Sequence, residues 1–188
     1  MPVSIKGGRR PMREKTYRTA LGGILSALAL SFLFMGSVLP FAEIAGPALA
    51  SVCVLLTGTE FSVKAAFAVY SAVSVLGLII VPDKESVLLF IFFLGWFPIF
   101  KMLIDGKLRP VPVLLIKLAV FNASVLLMYW LILKVFVMDQ VAAEFSGYSP
   151  FMYAAVIILS NITVIILDFA LSKIVFLYTH VWRKKLVR

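Results

Sequence analysis

The residues of this chain best suited to chemistry are a few polar side chains inside long apolar stretches. Lys117 and Asp168 are ionisable groups in two of these stretches. An ionisable group at the centre of a bilayer costs about 2.5–3.5 kcal/mol on insertion scales, so such groups are expected to pair or to line a cavity. The chain has no phosphate-binding glycine loop, HExxH or GxSxG motif beside them. We therefore predict a structural or ligand-binding role for these residues and no enzyme activity.

The positions of Lys117 and Asp168 also predict how the last two apolar stretches pack. Consecutive spans are antiparallel, and about seven residues make two helical turns, so a Lys117–Asp168 contact would place Ser124 opposite Asn161. Asn122 is expected to lie off that face, with a neighbour that the sequence does not indicate. Alternatively, Lys117 extends to the interface without meeting a partner. If the pair exists, a structural role is favoured over direct ligand contact, because polar contacts commonly join membrane helices.

Aromatic residues form a second set of candidates. Trp96, Tyr129 and Trp130 would lie beyond the polar pairs, where they are candidates to border an outward-facing pocket. Aromatic residues near the membrane interface more often act as anchors, so both interpretations stay open. Gly95 and Pro98 are expected to loosen the stretch that contains Trp96.

The chain offers little for metal or cofactor binding. It has one cysteine and one histidine, Cys53 and His180, so an internal disulfide is excluded and no His/Cys cluster is present in the sequence. We predict neither a metal site nor a cofactor. Lys101 and Lys173 lie near the ends of apolar stretches and are expected to be interfacial.

Helices in a membrane must position these side chains, because the composition is too apolar for a soluble protein. Of the 188 residues, 62% are hydrophobic, against roughly 45–50% in soluble domains. Mean hydropathy is +1.06. Apolar stretches cover about residues 19–39, 44–58, 65–81, 87–104, 111–137 and 151–182. The predicted fold is therefore all-α: a polytopic membrane protein with six transmembrane helices.

The distribution of charge predicts the orientation of these helices. If the N-terminus is cytoplasmic, the basic residues collect on the cytoplasmic side: only Lys84 and Lys134 fall on the outer side, and Lys117 and Lys173 lie within spans. We predict a basic cytoplasmic tail at 1–18, a single six-helix membrane domain at 19–182 and a second basic cytoplasmic tail at 183–188. The net charge of +9 then indicates membrane lipids as partners rather than nucleic acid, and the plasma membrane as the location.

The beginning of the first apolar stretch resembles a known family. The segment Arg18–Ala29, with the sequence RTALGGILSALA, is similar to the start of substrate-binding S components of energy-coupling factor (ECF) transporters. The resemblance implies six spans and a ligand site near the outer side, covered by a loop at 37–43. It also implies a partner-helix face that contacts a transmembrane coupling subunit, formed by Gly22, Gly23, Ser26 and Ala27. These residues follow small-xxx-small spacings, which allow close helix approach.

The resemblance implies that the chain binds a small solute and works with separate energising ATPases and a coupling subunit; the solute itself is not indicated. A second hypothesis is a structural or scaffolding membrane protein of the cell-envelope machinery, which acts through helix–helix contacts. A stand-alone secondary transporter ranks third, because such proteins favour internal repeats and no convincing repeat relates 17–82 to 87–180.

Overall fold

The computed structural model describes residues 11–39, 42–105, 110–131 and 150–182, and these ranges contain helices and turns but no strand. The helices are α1 (Pro11–Val38), α2 (Ala45–Glu60), α3 (Val63–Ile80), α4 (Lys84–Leu89), α5 (Phe97–Ile104), α6 (Pro110–Leu131) and α7 (Pro150–Leu177). Two π-helical turns, Phe90–Leu94 and Tyr178–Trp182, follow α4 and α7. The predicted all-α class is confirmed for the described residues.

Four of the described helical stretches are long and apolar enough to cross a membrane: Thr16–Val38, Val63–Ile80, Lys84–Ile104 and Phe151–His180. Their mean hydropathy lies between 2.0 and 2.3. The apolar helices Ala45–Glu60 and Pro112–Met128 are shorter. The fold is thus compatible with a membrane protein, whereas the count of six spans stays a prediction.

Short polar caps explain where two of the helices begin. The Ser62 side chain accepts a hydrogen bond from the backbone N–H of Ala65 at the start of α3. The Asp83 carboxylate accepts from the backbone N–H groups of Glu85 and Ser86 at the start of α4, at 3.0 and 3.1 Å. Serine and aspartate are preferred caps because they bind N–H groups that the first turn leaves without partners.

α1 and α2 approach each other closely at two glycines, Gly36 and Gly46. A Cβ atom on Gly46 would lie 2.6 Å from the Phe32 carbonyl oxygen and 2.8 Å from the Gly36 Cα. Backbone cannot move away as a flexible side chain can, so this crossing requires glycine. Around it, buried apolar side chains join α1, α2, α3 and the α4 region into one core: Ala29, Leu33, Val54, Val73 and Phe90.

The beginning of α1 and the end of the last helical stretch lie at the same end of the bundle. The Tyr17 ring contacts the Phe61 ring, just after α2, with a centroid distance of 5.9 Å. The Tyr178 hydroxyl donates to the carboxylate of Glu60, the last residue of α2, at 2.9 Å. We call this end of the bundle the terminal end.

The stretch Lys84–Ile104 is interrupted at the predicted position. The backbone N–H of Gly95 donates to the Phe90 carbonyl at 2.7 Å, which closes the π-helical turn. Pro98 lies in the first turn of α5, where its missing N–H removes no helical bond. The Tyr70 hydroxyl of α3 donates to the Ile91 carbonyl within the π-helical turn at 2.8 Å. A neighbouring helix thus satisfies backbone at the interruption, as an apolar solvent requires.

Candidate functional site

Charged side chains of α5, α6 and α7 meet in a closed arrangement near the terminal end. Lys101 Nζ lies 2.9 Å from Asp105 Oδ2 and 2.6 Å from Asp168 Oδ1. Lys117 Nζ lies 2.6 Å from Asp105 Oδ1 and 2.8 Å from Asp168 Oδ1. Each ammonium therefore contacts both carboxylates, and each carboxylate contacts both ammoniums. We call these four residues the ionic ring.

The ionic ring is electrically balanced and buried mainly on its cationic side. Lys101 and Lys117 are 6% and 3% exposed. The side chains of Asp105 and Asp168 are 40% and 22% exposed. A buried ammonium needs a paired carboxylate to offset its lost hydration, and each lysine here has two. The lysines are therefore shielded while the carboxylates remain partly accessible.

The environment of Asp105 shows how the ring stabilises the charged forms. Asp105 follows the last residue of α5, at the level where Met102 packs against Gly58 near the end of α2. Partial burial would raise the pKa of Asp105, but hydrogen bonds and charge from Lys117 and Lys101 outweigh it and hold that pKa below its usual value. Asp105 is therefore held as a carboxylate.

The structure brings Lys117 and Asp168 together, as the predicted register required. It also adds Lys101 and Asp105, which were not among the predicted site residues. Lys101, which was expected to be interfacial, is buried and contacts Asp168 of α7; its depth in a membrane stays a prediction. The i,i+4 spacing of Lys101 and Asp105 was a signal for a pair on one helical face. Lys173 is exposed, with its Nζ 5.1 Å from the centre of the Phe169 ring.

The amide pair differs from the prediction. Asn122 Nδ2 donates to Asn161 Oδ1 at 2.8 Å, and Asn161 Nδ2 donates back to Asn122 Oδ1 at 3.3 Å. The predicted Ser124–Asn161 contact is therefore replaced by Asn122–Asn161, and Asn122 is on the contact face after all. The prediction assumed equal spacing on both helices, but the long Lys117 side chain places its ammonium far from its own Cα.

The candidate pocket aromatics lie in different environments. The Trp96 indole donates to the Phe92 carbonyl of its own helical stretch, and its ring meets the Phe100 ring edge-on at 5.2 Å. Trp130 is 57% exposed. The side chain of Tyr129 lies outside the described residues. A pocket shared by these aromatics stays a prediction.

An open cavity of about 300 Å³ lies along the first half of α7, away from the ionic ring. The described part of its lining is apolar and consists of Phe151, Ala154, Ala155, Ile158, Leu159 and Ile162. The described lining residues all belong to α7 and are exposed, so the described part is an open groove along one helix. The described lining suits an apolar group rather than a charged one.

The predicted partner-helix face of α1 is divided between two environments. Gly22 faces α3, where an added Cβ would lie 4.0 Å from Val69 Cγ2, and Ser26 is half-buried and donates to the Gly22 carbonyl at 2.8 Å. An added Cβ on Gly23 would meet no described atom within 4 Å, and Ala27 is exposed. Gly23 and Ala27 are therefore accessible to another helix, while Gly22 and Ser26 pack inside the chain.

Within the described ranges, no group of three or more His, Cys, Asp or Glu side chains could hold a metal ion. The carboxylates of the ionic ring are occupied by lysines instead. Comparisons with family models, with curated proteins and with solved structures found no match to this chain.

Proposed function

We propose that this chain is a six-span plasma-membrane protein, similar to an ECF S component, that binds a small solute from outside. It has both termini in the cytoplasm and works with a coupling subunit and ATPases in other chains. The observation that carries this proposal is the open cavity at the end of α7 farthest from the terminal end. With cytoplasmic termini, that end of α7 lies on the outer side of the membrane.

The contacts at the terminal end support the proposed topology. Tyr17 and Tyr178, at the two extremes of the described helices, both reach the end of α2. An even number of spans places both extremes of a chain on one side of the membrane. The basic segments 1–18 and 183–188 adjoin these extremes, which agrees with a cytoplasmic terminal end.

The cavity suggests the chemistry of the solute. Ala154 and Ala155 leave space between the larger Phe151, Ile158 and Leu159 side chains. Burial of an apolar surface here would contribute roughly 25 cal/mol per Å². We infer a solute with a hydrophobic portion seated along α7.

A solute screen with a blocked-cavity variant tests this proposal. Purified protein is heated with vitamins, nucleobases and metal ions, and a binder is expected to raise the unfolding temperature. Ala155→Trp should fill the cavity and abolish this rise, whereas Ala123→Trp, at an exposed site on α6, should leave it intact. If a solute stabilised the wild type and Ala155→Trp equally, the cavity would be excluded as its binding site.

The accessible part of α1 supports a partner helix. Gly23 and Ala27 are exposed small residues, so a second helix can approach the α1 backbone closely there. The double substitution Gly23→Leu and Ala27→Leu should reduce co-purification with an ATPase pair and its coupling subunit. Ala68→Leu, an exposed position on α3, is the matched control. Equal recovery from both variants would exclude this face as the contact.

The ionic ring favours a second candidate, a scaffold of the cell-envelope machinery that acts through helix contacts. Each ring residue contacts the two ring residues of opposite charge, which is the expected arrangement of polar residues that join helices. A scaffold would be recovered with envelope-assembly proteins and without ATPases. It would also show no stabilisation by any solute in the screen.

A further inference from the structure

α7 is attached to the rest of the described chain mainly through its second half. Every residue from Phe151 to Leu159 is exposed, whereas Val164 and Leu171 are 1% exposed. Its polar contacts with α5 and α6 are made by Asn161, just before the middle of the helix, and by Asp168 in the second half. Asp168 contributes the strongest of them, because it contacts two buried ammoniums at once.

The ionic ring has an asymmetric connectivity. Lys101 belongs to α5, Asp105 directly follows α5, and Lys117 belongs to α6. Lys117 and Asp105 are joined directly at 2.6 Å, so α5 and α6 remain connected when Asp168 is removed from the ring. Asp168 is the single ring residue that α7 supplies. Its engagement therefore decides whether the ring holds α7.

The ring is accessible on its anionic side. The Asp168 side chain is 22% exposed, while Lys101 and Lys117 are shielded. Neutralising Asp168 would leave two buried ammoniums facing the single carboxylate of Asp105. The attraction between the ring and α7 would then be lost, while Asp105 would still join Lys101 of α5 to Lys117 of α6.

We propose that the ionic ring is a conformational latch that fastens the second half of α7 to α5 and α6 through Asp168. When the Asp168 contacts open, α7 moves relative to an α5–α6 pair that stays joined through Lys117 and Asp105. This inference is independent of the proposed solute. It requires only that the protein has a state in which α7 is displaced.

Distances between spin labels in the full-length protein test the latch. With Cys53 replaced by Ala, one label is placed at Lys64→Cys on α3 and the other at Lys173→Cys on α7; both positions are exposed. A second pair, Lys64→Cys with Leu115→Cys, reports on α6, where Leu115 is 62% exposed. Both pairs are measured by double electron–electron resonance with Asp168 intact and with Asp168→Asn.

The latch predicts that Asp168→Asn lengthens or broadens the Lys64–Lys173 distance distribution and leaves the Lys64–Leu115 distribution unchanged. If Asp168→Asn does not fold, the pair of substitutions Lys101→Met and Asp168→Asn is used, because it is neutral and keeps the Lys117–Asp105 contact. The same selective broadening is expected. Unchanged distributions for both label pairs, or equal broadening of both, would overturn the proposal.

Discussion

Lys101 Nζ lies 2.6 Å from Asp168 Oδ1, although 67 positions separate the two residues in the chain. Lys117 shares the same carboxylate oxygen at 2.8 Å. The interaction between the last two apolar helices is therefore part of a ring that also includes α5. This arrangement makes specific predictions about which substitutions compensate one another.

Asp168→Asn is expected to destabilise the protein on the order of 3 kcal/mol, because it leaves buried ammoniums with too few carboxylates. Adding either Lys117→Met or Lys101→Met should partly restore stability, since each restores neutrality. Thermal unfolding in detergent measures both effects. If Asp168 paired with Lys117 alone, only Lys117→Met would restore stability. Strict additivity of the substitutions would contradict any contact.

The Asn122–Asn161 pair is expected to contribute modestly to the packing of α6 on α7. Hydrogen bonds between membrane helices average about 0.6 kcal/mol in double-mutant cycles, because separated helices find other partners. A cycle of Asn122→Ala and Asn161→Ala should give a coupling energy of about that size. Ser124→Ala with Asn161→Ala is the matched control. A larger coupling for the serine would favour the original register.

Gly46→Ala is expected to destabilise the α1–α2 crossing by about 1–3 kcal/mol, the usual range for overpacking. The added Cβ would lie 2.6 Å from the Phe32 carbonyl oxygen, which is backbone and cannot rotate away. Gly23→Ala is the control, since its Cβ would meet no described atom within 4 Å. Thermal unfolding of the two variants should separate them, and equal stability would show that the helices are farther apart.

The stabilisation that Asp105 contributes to the folded protein is expected to persist in mild acid. Its pKa is lower in the folded protein than in the unfolded chain, so its stabilising effect is fully present above the usual value of about 3.9. The effect is lost as the pH falls through the lower folded value. Unfolding temperatures of the wild type and Asp105→Asn should therefore differ at neutral pH and converge in strong acid. A difference that stays constant from neutral pH into strong acid would show that the pKa is not lowered.

Much of the helical organisation follows from local sequence. Long apolar runs favour helices because only a helix satisfies its own backbone in lipid, and polar breaks such as Ser62 and Asp83 begin new ones. Gly95 and Pro98 predicted the interruption before α5, because glycine and proline weaken a helix. Lys117 and Asp168 were identified as partners because isolated charges are costly there.

The tertiary structure decided which residues complete these contacts. Neither the Asn122–Asn161 pair nor the inclusion of Lys101 in the ring follows from spacing along one helix. The Gly36–Gly46 crossing also carries no local signal that separates it from Gly22 and Gly23. Local hydropathy determines where a helix forms. The rotation of a helix and its crossing angles depend on the side chains of all the helices packed against it. These contacts join residues far apart in the chain, so no single stretch of sequence determines them.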